Sequence, residues 1–205
     1  MASLEESLRI TLMYGLVPVW ALAGLGDWLC HRRQRMELTA GLGESLLHLS
    51  MLAILGSALL GALLLELNAM MLLLLLLAAL AHEGVLWWDL FYASARRTIP
   101  PVEQWVHSVQ FALPWVGLVG LALLHREQAL AIIGASGAPA DWSLRAKSEP
   151  LPASYVASVV GMGVLFTCLP FAEELVRCYR AGKPAATPAW QPSERTRRPA
   201  RSSST

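Results

Sequence analysis

The sequence predicts an all-α, polytopic integral membrane bundle of about five transmembrane helices. Hydrophobic residues make up 55% of the 205-residue chain and charged residues only 15%, whereas soluble domains carry about 25% charged residues. The mean hydropathy is +0.48. In addition, five apolar runs have the length of about 20 residues that a helix needs to cross the bilayer core.

The predicted spans differ in length and in what connects them. They cover residues 8–31, 43–65, 68–93, 102–124 and 153–178. In the first span, Pro18 predicts a kink, because proline lacks the N–H that an interior helical residue donates. Only residues 66–68 separate the second span from the third, so these two must pack as antiparallel neighbours.

Two longer segments lie outside the predicted spans. The loop 125–152 is rich in glycine, alanine, proline and serine, and residues 141–146 are a candidate for a short interfacial helix within it. Residues 181–205 are basic and rich in proline, serine and arginine, a composition typical of disorder. We therefore divide the chain into a helical bundle over residues 1–180 and a disordered cytoplasmic tail over residues 181–205.

The distribution of lysine and arginine predicts the orientation of the bundle, since short cytoplasmic loops carry an excess of both. With five spans, one side of the membrane receives Arg32, Arg33, Arg35, Arg96, Arg97, Arg177, Arg180, Lys183, Arg195, Arg197, Arg198 and Arg201. The other side receives Arg9, Arg126, Arg145 and Lys147. We therefore expect the N-terminus outside and the C-terminus in the cytoplasm, in the inner membrane of a bacterium.

Charge and cysteine content exclude some functions. The net charge is +1, and the basic residues are spread over short loops and the tail, so no basic face for nucleic acid is predicted. The three cysteines (Cys30, Cys168 and Cys178) have neither CxxC nor zinc-finger spacing. The sequence also contains no NAD, flavin or haem-attachment motif.

One short pattern recurs: an acidic residue followed four positions later by histidine. The three pairs are Asp27 and His31, Glu44 and His48, and Glu103 and His107. Residues four apart on a helix lie on one face, as do His82 and Asp89, which are two turns apart. The predicted topology puts all four sets near the cytoplasmic end, so we expect these eight side chains to converge.

Each member of this set has a simpler interpretation by itself. A glutamate at a helix N-terminus, such as Glu44 or Glu103, is favoured by the helix dipole, and a single buried histidine is usually a hydrogen-bonded packing residue. A purely structural polar network is the alternative for the whole set. Ionisable side chains within membrane spans are costly, however, and usually pair or bind a ligand. Four matched sets at one depth therefore favour a metal site.

The number and type of the eight candidate ligands predict two metal ions. A single zinc ion takes four ligands, so eight suit two ions that share bridging carboxylates. Carboxylates mixed with imidazoles favour iron or manganese over copper or a cysteine-bound structural zinc. We predict two metal ions as cofactors, with iron first and manganese or zinc as alternatives.

The arrangement over about residues 20–110 is similar to the di-iron carboxylate bundles, in which facing helices project Glu and Glu-x-x-His inward. It also resembles the histidine-box membrane hydroxylases and desaturases, which hold two metals at the cytoplasmic end of membrane helices. The spacing here is Glu-x3-His, and no HxxHH box is present. These resemblances imply an oxygen-dependent oxidoreductase.

The leading functional hypothesis is a di-iron membrane enzyme that hydroxylates or desaturates a lipid or another lipid-soluble substrate. Electrons would come from a soluble electron-transfer partner. Glu83 and Tyr92 are the candidate catalytic residues, and Glu37, Arg96 and Arg97 are candidate supporting or head-group contacts. The glutamates at positions 173 and 174 are interpreted as surface charges near the interface.

Two other classes of function stay open. A metal-dependent lipid hydrolase would use a metal-bound hydroxide and a spare carboxylate as base. A non-enzymatic metal carrier or b-type haem protein is the third class, although haem needs only two axial histidines and no ring of acids. The metal content of the purified protein distinguishes the three.

Overall fold

The computed structural model describes residues 3–182, and the rest of the predicted tail lies outside the described residues. Within that range the chain is helical, with no strand and one isolated bridge between Leu65 and Ala146. The helices are α1 (Leu4–Gln34), α2 (Gly41–Leu64), α3 (Ala69–Ser94), α4 (Pro101–Leu124), α5 (Arg126–Ile132) and α6 (Ala153–Ala181). All but α5 are long and apolar enough to cross a membrane.

Four of the five predicted spans agree closely with these helices, and α1 is longer than predicted. It begins at Leu4, because the Ser3 hydroxyl accepts a hydrogen bond from the Glu6 amide and closes the N-terminus. Glu5 and Glu6 in the first turn favour the same start through the helix dipole. This first turn is polar, so hydropathy alone placed the start too late.

Proline distorts two of the long helices in the same way. A π-helical segment over Thr11–Leu16 precedes Pro18, and another over Val164–Cys168 precedes Pro170. A proline cannot donate to the carbonyl four residues earlier and its ring crowds that carbonyl, so the preceding turn widens. The distortion predicted at Pro18 therefore takes the form of a π-helical segment.

The connection between α2 and α3 determines the structure of the long loop. α2 and α3 form the most extensive helix pair, as their short link requires. The Asn68 side chain caps α3 and donates to the Ser143 carbonyl, while Glu66 accepts from the amide and hydroxyl of Ser148. Residues 141–146 are therefore extended, and the helix suggested for them is wrong. The loop's helix is α5, at Arg126–Ile132.

The interior of the bundle is polar at one end, and its outer surface is apolar. Among the described residues, the buried set contains nearly as many polar and charged side chains as hydrophobic ones. Large apolar side chains such as Trp87, Phe91, Trp105 and Leu165 are instead more than half exposed. Soluble proteins show the opposite distribution, so this pattern is consistent with a bundle surrounded by lipid.

Candidate metal centre

Seven of the eight predicted ligands come together inside one end of the bundle. They are Asp27 and His31 from α1, Glu44 and His48 from α2, Asp89 from α3, and Glu103 and His107 from α4. Each is buried, with at most 6% of its surface exposed. The i, i+4 spacing on α1, α2 and α4 aims both members of each pair at the bundle axis.

The first group joins α1 to α4. The Nε2 atom of His31 lies 3.3 Å from an oxygen of Asp27 and 3.3 Å from an oxygen of Glu103. The Nε2 atom of His107 lies 3.1 Å from the same Asp27 oxygen. Neighbouring ligands of an ion with bonds of about 2.1 Å lie about 3 Å apart. These four side chains therefore have the separations that a single ion requires.

The second group joins α1, α2 and α3. One ligand atom each from His31, Glu44 and His48 lies within 4.8 Å of the others. Asp89 extends this group, with one carboxylate oxygen 3.5 Å from Nε2 of His48. The two groups share His31, so the seven side chains form one continuous cluster.

Glu174 from α6 supports both histidines, and the interpretation of this residue as a surface charge is wrong. It is fully buried, and its two oxygens lie 2.9 Å from Nδ1 of His31 and 2.9 Å from Nδ1 of His48. α6 packs against α1 and α2, which brings Glu174 between them. Glu173, one residue earlier, is exposed enough to pair with Arg32 at the surface.

This carboxylate determines how the two imidazoles are oriented. An ionised carboxylate only accepts hydrogen bonds, so both Nδ1 atoms carry a proton, and in the neutral rings the Nε2 atoms hold the lone pairs. The rings of His31 and His48 are stacked 4.5 Å apart at an angle of 6°, so their Nε2 atoms face the same side. A carboxylate behind the distal ring nitrogen is the usual support of a metal-ligating histidine.

Several atoms that face the cluster lack a hydrogen-bond partner within residues 3–182. They are Nε2 of His31, Nε2 of His48 and both carboxylate oxygens of Asp89. Buried polar atoms in native proteins almost always have a partner, because leaving one unsatisfied is costly. Bound cations would satisfy these atoms.

Among residues 3–182, Arg97 is the one arginine whose side chain enters the cluster, and it joins α2 to α4. Its guanidinium pairs with both Glu44 and Glu103, and it also donates to the Gln34 side-chain oxygen at 3.0 Å. Burial by itself lowers the pKa of Arg97, but hydrogen bonds and charges from Glu44 and Glu103 raise the pKa above its usual value. The guanidinium therefore stays cationic and partly compensates the carboxylates.

Among residues 3–182, the cluster contains more carboxylates than lysine or arginine side chains. Five carboxylates are buried around it (Asp27, Glu44, Asp89, Glu103 and Glu174), against the single guanidinium of Arg97. With neutral imidazoles, four negative charges are left over. Buried charges need to be paired or to coordinate metals, and two divalent ions would balance this excess.

His82, the eighth predicted ligand, lies deeper in the bundle. It lines a cavity of about 40 Å³ together with Asp27 and His48, and its Nδ1 has no hydrogen-bond partner in the described part of the chain. It stands two turns before Asp89 on α3. The structure thus places His82 at the inner edge of the cluster, next to the cavity.

The two candidate catalytic residues lie on α3, Glu83 before Asp89 and Tyr92 after it. Glu83 accepts a hydrogen bond from the Trp115 indole at 3.2 Å, and its oxygen is 3.8 Å from Nδ1 of His82. The Tyr92 hydroxyl donates to the Ala40 carbonyl at 3.3 Å. Their catalytic roles stay predictions.

The two other supporting candidates lie away from the cluster. The Arg96 guanidinium stacks on the Tyr92 ring at 3.5 Å. Glu37 pairs with Arg177 of α6. Of the three supporting residues named from the sequence, Arg97 is therefore the one that the structure places against the predicted ligands.

No protein-family model matches this chain, and no curated protein or solved structure is significantly similar to it. The buried cluster of histidine, aspartate and glutamate is compatible with a metal site.

Proposed function

We propose that this chain is a membrane-embedded di-iron enzyme that oxidises a lipid or lipid-soluble substrate. The observation that carries the proposal is the pair of histidines, His31 and His48, which Glu174 holds through Nδ1 so that Nε2 of each ring lies beside buried carboxylates. Neutral rings offer these Nε2 atoms as metal ligands, whereas a purely structural salt-bridge network needs both rings protonated. A pair of ions would use them and balance the cluster's charge.

The two groups of ligands would each hold one ion. Asp27, His31, Glu103 and His107 form the first set. Glu44, His48 and Asp89 form the second. Arg97 holds Glu103 of the first set and Glu44 of the second, and so orients both carboxylates and limits the negative charge.

The ligand set favours oxidation among the reactions open to such a centre. Carboxylates and imidazoles suit iron, and a pair of iron ions supplies oxygen activation when bound. For a hydroxylation, one C–H bond becomes C–OH while one O₂ takes two electrons and two protons and yields one water. The electrons would come from a soluble electron-transfer protein at the cytoplasmic face.

The proposed orientation has the N-terminus outside and the C-terminus and the metal centre at the cytoplasmic side of a bacterial inner membrane. It follows from the excess of arginine at the ends of α1, α3 and α6. We expect a fluorescent protein fused after residue 205 to fluoresce, and alkaline phosphatase inserted after Gly134 to be active. The reverse pattern for the two fusions would contradict this orientation.

Metal content tests the proposed function. We expect about two iron ions per chain by elemental mass spectrometry, with no Soret band in the absorption spectrum, because the cluster offers two sets of ligands. Substrate-dependent O₂ consumption with a chemical reductant is the expected activity. Zinc without iron would instead support the hydrolase, and a Soret band the haem protein. Absence of metal from protein made in metal-replete medium would refute every enzymatic reading.

A further inference from the structure

The structure contains a second feature that the proposed centre does not explain: a large apolar chamber in the other half of the bundle. Its volume is about 410 Å³, within the range of about 300–1,000 Å³ typical of small-molecule sites. All five long helices line it, through side chains such as Leu16, Leu59, Leu75, Leu121 and Tyr155. It therefore lies between the five long helices.

We propose that this chamber binds the alkyl chain of a single-chain amphiphile with an anionic head group, with the chain end directed at the metal centre. The inference rests on the proposed function in one respect, since the chain end would there meet the oxidising site. The binding itself does not depend on metal and can be tested without it.

The chamber is continuous in its lining with the small cavity at the cluster. Trp20 and Leu55 line both spaces, and the small cavity is also lined by Asp27, His48 and His82. Trp20 precedes Asp27 by seven residues, and Leu55 follows His48 by seven. Seven residues are two helical turns, or about 10 Å, so this distance separates the near end of the chamber from the predicted ligands. The end of a chain filling the chamber would therefore point at the cluster.

The opposite end of the chamber is polar and suits a head group. Arg9, Glu66, His125, Lys147 and Glu149 lie at that end. Arg9 pairs with Glu5, and both Ser148 donors occupy one oxygen of Glu66; Glu149 is exposed. Lys147 has no carboxylate oxygen within 4.0 Å among the described residues.

Charge favours this orientation of the ligand. Burial lowers the pKa of Lys147 more than the nearby charge of Glu66 raises it, and an anionic head group would stabilise the ammonium further. The small cavity, at about 40 Å³, is lined by the carboxylate of Asp27, which would repel an anionic head group. The carbons remote from the head group, and not those beside it, would therefore reach the centre.

A bulky residue within the chamber tests the proposal. Gly117 lines the chamber, and a Cβ there would meet Leu16 only at ordinary contact distance, 3.7 Å. We expect Gly117→Phe to weaken binding of tritiated hexadecanoate in lipid nanodiscs by at least about tenfold, since the ligand loses the burial of several methylene groups. Val116→Phe on the exposed face of α4 is the matched control, with an expected change within about twofold.

The head-group end needs its own measurement. We expect Lys147→Gln to weaken hexadecanoate binding while leaving binding of hexadecanol unchanged, because only the carboxylate uses the ammonium charge. Equal effects on both ligands would overturn the anionic head group.

If Gly117→Phe fails to fold, Ala62→Phe on α2 fills the same chamber.

Metal analysis of the same samples separates this proposal from the proposed function. Unchanged hexadecanoate binding in a folded Gly117→Phe or Ala62→Phe variant would overturn the chamber as the site, whatever the metal content. Saturable binding that Gly117→Phe abolishes, in protein without metal, would instead keep the chamber and refute the metal centre.

Discussion

His48→Ala and His107→Ala are each expected to remove metal from the protein. Each histidine belongs to a different group of the cluster, and His31 joins the two groups. Loss of a residue that merely supports a ligand lowers metal affinity about 10–100-fold, so loss of a ligand should cost more. The measurement is metal per chain after purification through a weak chelator.

The control for this experiment is the histidine that lies outside the cluster. His125 is at the end of α4, at the far mouth of the apolar chamber. His125→Ala should keep the wild-type metal content. Wild-type content in both His48→Ala and His107→Ala, with His125→Ala unchanged, would show that these histidines do not hold metal.

Glu174→Gln is expected to lower metal affinity by about 10–100-fold, although Glu174 itself would not touch the ions. The neutral amide has one acceptor oxygen in place of two and cannot hold both Nδ1–H groups of His31 and His48, which lie 2.9 Å from the carboxylate. The two rings would lose their common orientation. Competition with a chelator of known affinity measures the loss.

The neighbouring glutamate is a matched control within the same turn of α6. Glu173 accepts a hydrogen bond from the Trp28 indole and pairs with Arg32 at the surface, away from the imidazoles. Glu173→Gln should therefore leave metal affinity unchanged. Equal losses in the two variants would show that the effect comes from α6 as a whole and not from the Glu174 carboxylate.

The helices and most of the cluster could be predicted because both depend on local patterns. Hydropathy over about 20 residues identifies a helix that can cross a bilayer, and four-residue spacing puts Asp27 with His31, or Glu103 with His107, on one face. A short link forces α2 and α3 together. These local patterns were enough to predict that seven of the eight side chains lie together at one end of the bundle.

Glu174 and Arg97 show where local patterns stop being informative. Glu173 and Glu174 are adjacent, about 100° apart around the helix, and nothing in their neighbourhood tells which one faces the core. Arg97 follows Arg96 in a short loop and had a sufficient explanation as a topology signal. Only the packing of α6 on α1 and α2, and the closeness of the α3–α4 loop to Glu44 and Glu103, distinguishes them.

By itself, the sequence determined an all-helical chain with five long apolar helices and acid–histidine pairs on three of them, because helical periodicity and bilayer length are properties of contiguous residues. The tertiary structure decided which carboxylate supports His31 and His48, which arginine enters the cluster, and that an apolar chamber leads toward it. Each of these depends on the angle and the depth at which separate helices pack. Contacts between side chains that are far apart in the sequence determine that angle and that depth.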